Sequence, residues 1–404
     1  MTLEQQVANL VNATTQLTST VNDELGAIRT ENTNFKSSVL TDVNARFDRV
    51  FRNSGFNIFV SPNAGSANPV DPINDESKPF DSIFNAIAFL KNSYWIGVTT
   101  IHLFPGTHVI SSVIYLDHPC SIEIRGYNSE LMSSSGFSQV MASCSQTTFA
   151  NRSSGLSIPG SNLNVFSTLQ SFFPFKISVD PNLNAGIVIT LGATLFIRDV
   201  LVYSNSSQPT GSGLVSTQGA NLYFSQVAIY NFINGLFANE NSLISGYDIG
   251  GNKASRLSIF FCNTIGICSI SSSVSFGFEK VVSSGNSLEG LYIYLSTLYI
   301  SSLYPDLGAI ASYGNERNGF LFLAGSRGRG IGFVSKANGN NGFWVDGSHV
   351  SLLSVFSQDN GSYGFTCGTG VIYSNSTASD NTTGNVLGKK FESNATQGFI
   401  VGIS

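Results

Sequence analysis

From Gly186 onward, apolar and polar residues alternate in short runs, and each run opens on a glycine. The openings are Gly186, Gly213, Gly235, Gly266, Gly290, Gly319, Gly342, Gly364, Gly384 and Gly398. Alternation with period two is the signature of a β-strand and rules out the helical periodicity of most α-repeats. Openings that recur after some twenty to thirty residues, with a last interval of 14, predict a solenoid whose coils hold about three short strands each, with insertions accommodated in loops. The residue after each glycine is expected to face the core: Ile187, Leu214, Leu236, Ile267, Leu291, Phe320, Phe343, Phe365, Asn385 and Phe399. The next residue should face outward, yet that column is also mostly apolar: Val188, Val215, Phe237, Cys268, Tyr292, Leu321, Trp344, Thr366, Val386 and Ile400. An apolar outer column asks to be covered. Sister chains, an intrachain loop or a ligand are the possible covers, and sister chains are the favoured one. The expected interface is Val188, Val215, Phe237, Tyr292, Leu321, Trp344, Val386 and Ile400.

The turns repeat as well. Asn315, Asn338 and Asn360 stand four residues before a coil-opening glycine, and Asn381 stands three before one. Asn tolerates tight turns, and stacked Asn side chains hydrogen-bond from coil to coil. At the N-terminus the period changes. Leu3, Val7, Leu10, Leu17, Val21 and Ile28 fall at alternating spacings of three and four, the seam of a coiled coil, with Thr14 and Glu24 as polar intruders. A single helix cannot bury such a seam alone. The divisions expected are a coiled-coil stalk over 1–52, a linker and capping helix over 53–95, and a β-helix over 96–404, with the coil register lost around 133–171.

The segment from Lys78 to Leu90 places Pro79 at a helix start and Phe80, Ile83, Phe84 and Ile87 on one face. Val98 to His108 then reads as strand, turn and strand. This pair, PFDSIFNAIAFL followed by TIHLFPGTHVI, resembles the lead-in of pectate-lyase-like parallel β-helix proteins, many of them phage tailspikes and tail fibres. The resemblance implies an all-β, right-handed parallel β-helix whose open end is capped by the helix, behind a helical stalk, and a homotrimer. It also implies a virion protein assembled in the host cytoplasm, attached through its N-terminus to the phage tail or baseplate, that recognises a host surface glycan, polysaccharide or lipopolysaccharide. The alternative it leaves open is a polysaccharide depolymerase on the same scaffold.

Composition narrows the functions. Charged residues make up only 11% of the chain, and the net charge of −5 comes without Lys/Arg clusters, so no nucleic-acid partner is expected. No apolar run is long enough to span a membrane, and the first residues lack the basic and apolar regions of a signal peptide. Five cysteines without a CxxC pair read as buried thiols. No cofactor is expected, and no metal site, because His102, His108, His118 and His349 are scattered. Paired acids would be needed to cut a glycan. Asp359 and Asp380, at similar turn positions in successive coils, are the weak catalytic candidates, set against a plain reading as solvated turn residues. Tyr363, on a turn, is the weak candidate for stacking on a sugar. The run from Gly325 to Gly330 reads as an exposed, positively charged turn.

Overall fold

The computed structural model describes residues 2–50, 56–91, 97–117, 121–129, 144, 165–205, 211–246, 257–262, 264–276, 280–300, 310–387, 390–392 and 399–402. His118, Cys120, Tyr304 and Gly398 lie outside them. The chain divides into two compact units, residues 1–54 with 93–96, and the remainder. In the first unit, one helix, α1, runs from Leu3 to Val50. Thr2 caps it, its hydroxyl accepting from the Gln5 amide. Every described side chain of the helix up to residue 41 is exposed, including Leu3 (75%), Leu10 (68%), Leu17 (65%) and Ile28 (56%).

The second unit is a parallel β-solenoid. One sheet of ten strands runs in chain order: Ile114–Leu116, Ala185–Ile189, Ser212–Ser216, Asn234–Ala238, Ile265–Ile270, Leu291–Tyr294, Phe320–Leu323, Phe343–Asp346, Tyr363–Cys367 and Gly384–Leu387. All its neighbours are parallel. A larger sheet supplies the other two sides of each coil. Its long strands Thr194–Ser204, Asn221–Tyr230, Arg327–Lys336 and Ser348–Gln358 turn from one side to the next at Asp199, Gln226, Gly332 and Ser354, all with positive φ. At these bends each strand departs from extended geometry without ending. The solenoid starts earlier than expected. Asn57–Val60, read from its Gly/Pro-rich surroundings as part of a loop, is a strand paired with Thr100–Leu103. The helix α2, Ile83–Lys91, begins after Ser82, whose hydroxyl accepts from the Asn85 amide, and not at Pro79. It buries Ile83, Ala86, Ile87 and Leu90, while Phe84 is half exposed.

The inward column of the ten-stranded sheet is in register from Ile187 through Leu214, Leu236, Ile267, Leu291, Phe320 and Phe343 to Phe365, all buried. Phe320 stacks on Phe343 at 4.6 Å between ring centroids, and Phe343 on Phe365 at 5.1 Å. The last coil corrects the expectation. Val386, not Asn385, pairs with Phe365, so Val386 joins the inward column and Leu387 the outer one. Asn385 then stands at the place that a glycine fills in the coils before it. This restores the four-residue offset for Asn381, whose Nδ2 donates to Asn385 Oδ1 at 3.0 Å.

Buried side-chain ladders hold the turns. Nδ2 of Asn286, Asn315, Asn338 and Asn360 donates to Oδ1 of the next ladder Asn, at 2.6, 2.8, 2.9 and 2.8 Å, ending on Asn381. The same Nδ2 atoms donate to Ser283, Ser312, Ser335 and Ser357. Those hydroxyls donate in turn to the carbonyls of Gly290, Gly319, Gly342 and Gly364. The unit is therefore Ser-x-x-Asn-x-x-x-Gly, and Asn286 belongs to it. On the opposite corner, the amides of Ser242, Ser272, Ser296 and Ser326 donate to the hydroxyls of Ser272, Ser296, Ser326 and Ser348. The glycine is required by space: a Cβ on Gly319 would lie 2.7 Å from the Gly342 carbonyl oxygen and against the Ser335 hydroxyl. Gly319→Ala is expected to cost about 1–3 kcal/mol through overpacking. Gly26→Ala, at an open position in α1, should stabilise its helix by up to about 1 kcal/mol. Thermal melts of the two variants check the contrast.

Candidate functional site

Each coil presents three outward faces, and they differ in chemistry. The first is the outer column of the ten-stranded sheet. Tyr115, Val188, Val215, Phe237, Cys268, Tyr292, Leu321, Trp344 and Thr366 stand in register, one per strand. With rungs about 4.8 Å apart, they form an apolar stripe roughly 40 Å long. Cys268, Leu321 and Thr366 are already buried within the chain, so the contact surface falls on Val188, Val215, Phe237, Tyr292 and Trp344, with Tyr115 and Leu387 at its ends. Ile400 lies elsewhere, in Phe399–Gly402, which pairs antiparallel with Val371–Ser374 of the larger sheet. A polar line flanks the stripe: Thr366 donates to Asn341 (2.7 Å), Asn341 to Asn318 (2.9 Å) and Asn318 to Glu289 (3.4 Å). Burial raises the Glu289 carboxyl above its ordinary range, with Arg317 opposing.

The second face is covered by the chain itself. Helix α3, Val165–Phe172, and Cys144 come from the insertion expected around 133–171, most of which lies outside the described residues. They pack over Leu201, Tyr203, Ala228, Tyr230, Ile259, Phe261, Val282, Ala311 and Tyr313. An intrachain cover therefore exists, on a different face from the apolar stripe. Burial pushes the Cys144 thiol up to about 12, and the four described cysteines are all free and buried.

The third face is polar and carries Glu123, Arg125, Arg198, Arg327 and Arg329. Its C-terminal half corrects the reading of 325–330 as a turn. Arg327 opens the strand Arg327–Lys336, and the Arg-Gly-Arg-Gly run is strand alternation. Arg327 and Arg329 are exposed, while Gly328 and Gly330 point inward, where a Cβ would lie 2.8 Å from Val350 and 2.6 Å from Ile300. Arg327 stands opposite His349, and Arg329 opposite Tyr299 and Ser351.

The N-terminal half of this face carries a denser constellation that sequence reading missed. In one outward column Phe59, His102, Arg125 and Arg198 follow one another in register. In the next stand Asn57, Thr100, Glu123, Phe196 and Tyr223. Glu123 is fully engaged: Oε1 pairs with Arg198 Nε at 2.5 Å, and Oε2 accepts from Thr100 at 3.1 Å. His102 Nε2 lies 2.9 Å from Asn57 Oδ1, which assigns the proton to Nε2. Burial, then the charges of Arg125 and Arg198, lower the His102 pKa to about 4, so the ring is neutral at pH 7. Phe59 and Tyr127 pack against His102, Phe104 packs against both of them, and Phe196 stacks on Tyr223 at 4.8 Å. The signal in the sequence is strand alternation across His102, Arg125 and Arg198, and those strands are too far apart in sequence for any local pattern to set their register.

The weak catalytic pair is explained by backbone. Asp359 and Asp380 occupy the positive-φ place before a ladder Asn, which Gly285, Gly314 and Ala337 fill in earlier coils. Asp359 pairs with Lys336 at 3.6 Å, and Asp380 accepts from Gln358 at 3.1 Å. Tyr363 opens its strand and packs over Gly384. Among the described residues no group of three His, Cys, Asp or Glu is placed to hold a metal ion, and no helix is long and apolar enough to cross a membrane.

These faces belong to a protein of the parallel β-solenoid class. No protein-family model matches the chain, and no curated protein matches it. Solved structures similar to it include the following two. One is the catalytic domain of a GH87 α-1,3-glucanase in complex with tetrasaccharides, with 10% identity and a TM-score of 0.36 over 76% of this chain and 65% of that one. The other is ORF18 of Geobacillus virus E2, with 10% identity and a TM-score of 0.26 over 75% of this chain and 56% of that one. The chain thus spans less than two thirds of the length of either. At such similarity neither ligand nor activity passes to this chain.

Proposed function

We propose that this chain is a bacteriophage tail fibre or tailspike: a homotrimeric virion protein held to the tail through its N-terminal helix, which recognises a polysaccharide or lipopolysaccharide on the host surface. One observation carries the reading. The same chain exposes two unrelated apolar stripes, one along the 48-residue helix α1 and one across the ten-stranded sheet. Leu3, Val7, Leu10, Leu17, Val21 and Ile28 supply the first, and each stripe is met by the same solution, burial against the same stripe of sister chains. A rigid solenoid behind a coiled coil then offers the polar third face three times over, so weak sugar contacts add through multivalency.

Two measurements test this on the purified full chain. Light scattering is expected to give three times the chain mass. Fluorescently labelled protein is expected to bind cells of a susceptible strain and to lose that binding after the surface glycan is stripped or genetically removed. A monomer, or binding unchanged by glycan removal, overturns the reading. Release of oligosaccharides from the glycan would move it to the depolymerase alternative.

A further inference from the structure

The described part of the third face holds an unbalanced cation. Arg125 and Arg198 stack on adjacent rungs, with His102 on the other side of Arg125. Both oxygens of Glu123, the carboxylate beside these arginines, are engaged by Arg198 and Thr100, and Glu76 accepts from the Tyr127 hydroxyl. Arg125 is therefore left without an acidic partner among the described residues, and its Nε is buried with no hydrogen-bond acceptor. The neutral His102 beside it brings no negative charge, and its Nδ1 is also buried without a partner. Thr99 Oγ1, His108 Nδ1 and Ser269 Oγ are also buried without a hydrogen-bond partner, but Arg125 Nε is the one such atom among the described residues that belongs to a cation with no ion pair. A half-buried guanidinium beside a second one is costly unless an anion neutralises it. The planar fork of Arg suits a carboxylate or phosphate held by two parallel hydrogen bonds.

The flanking residues narrow the anion. Phe196 faces Glu123 across one rung and stacks on Tyr223. This aromatic pair sits about 7 Å along the strand from Arg198, two residues away. Tyr127 and Phe104 close the other side in edge-to-face contact at 5.0 Å. Aromatic rings beside a charged fork suit a sugar ring whose apolar face stacks while its acidic group meets the guanidinium.

We propose that Arg125, supported by Arg198 and flanked by the Phe196–Tyr223 pair, binds the carboxylate or phosphate of an acidic sugar in the host glycan. This rests on the glycan-recognition reading above and names the ligand class for it. The test titrates the full chain by calorimetry with four probes: an oligouronate, a sugar phosphate, inorganic phosphate and a neutral glucan oligomer of matched length. The oligouronate or the sugar phosphate is expected to bind the wild type, and which of the two does so identifies the acidic group. The neutral glucan is expected not to bind, and inorganic phosphate to bind more weakly than either sugar anion.

Arg125→Gln is expected to reduce sugar-anion binding at least tenfold. Arg125→Lys, which keeps the charge and loses the fork, should fall between. Phe196→Ala should weaken the sugar anion while sparing inorganic phosphate. Melting curves within a few degrees of wild type qualify each variant as folded. Should Arg125→Gln fall outside that range, Arg125→Lys and Phe196→Ala decide in its place. No anion binding, or equal binding by wild type and a folded Arg125 variant, overturns the site. Host binding unchanged in Arg125→Gln overturns the site and spares the tail-fibre reading. Acidic-sugar binding by a chain that ignores host cells does the reverse.

Discussion

Asn338→Ala is expected to destabilise the solenoid by about 3–5 kcal/mol, the largest effect of any single truncation in its turns. Asn338 Oδ1 accepts from the Asn315 amide at 3.0 Å and from Asn315 Nδ2 at 2.8 Å. The Asn315 amide would be orphaned, and one N–H of Asn315 Nδ2 stranded while the other keeps Ser312, where Asn315, Asn338 and Asn360 are fully buried and water has no access. Each stranded donor costs about 1–3 kcal/mol, against the smaller net gain that the bond had supplied. Ser335 would also lose the donor at 2.9 Å that orients its hydroxyl toward Gly342. Asn381→Ala is the matched control. It sits at the partly exposed end of the ladder, so water replaces the lost partner, and about 1 kcal/mol is expected. Solenoids unfold in segments, so hydrogen exchange of the amides from 312 to 364 reads the effect more directly than one global midpoint. Equal protection in the two variants would deny the ladder its role.

The ladder also marks where sequence reading succeeds and where it stops. The coil openings from Gly186 to Gly364 were legible because glycine is demanded at each by a carbonyl one rung away. The offset of four from Asn to Gly was legible because both ends of the unit are conspicuous. The serine three residues before Asn286, Asn315, Asn338 and Asn360 was not, since serine is common throughout this chain and its pattern emerges only once the rungs are aligned. Register failed where the glycine was replaced. Gly384 attracted the assignment, while Asn385 occupies the position, so Val386 was placed outward when it faces in. Asn57–Val60 was hidden by its neighbourhood of Pro, Asn and Gly, because a four-residue strand carries too little alternation of its own. The Arg-Gly-Arg-Gly run read as a turn for a related reason. Glycine normally breaks strands, but Gly328 and Gly330 sit under bulky core residues that leave no room for a Cβ. The cluster around Arg125 depends on rungs separated by long insertions, which no local pattern can align.

Trp344→Lys is expected to abolish the trimer while leaving the solenoid folded. Trp344 lies on the outer column between Leu321 and Thr366, in register with both and half-buried by its own chain. Within one chain a lysine there can extend its stem along the sheet and keep its ammonium in water, so the fold tolerates it. In the proposed assembly the same position meets sister chains, and the substitution occurs three times around the axis. Loss of a buried aromatic anchor costs about 2–4 kcal/mol at each copy, and three converging ammonium groups add repulsion in a desolvated setting. The stripe is continuous from Tyr115 to Leu387, so its other residues cannot close over the charge without breaking register. Leu321→Lys would be a poorer test, because Leu321 is already 7% exposed in the single chain and its loss would damage the core. Tyr299→Lys supplies the control: Tyr299 is 47% exposed on the polar third face, and its substitution should leave assembly intact. Light scattering of the three proteins decides. Wild type and Tyr299→Lys are expected at three times the chain mass, and Trp344→Lys at one, with unchanged β-sheet circular dichroism. If Trp344→Lys assembles as readily as wild type, the stripe is not the face on which sister chains meet, and the trimer must be held by α1 alone.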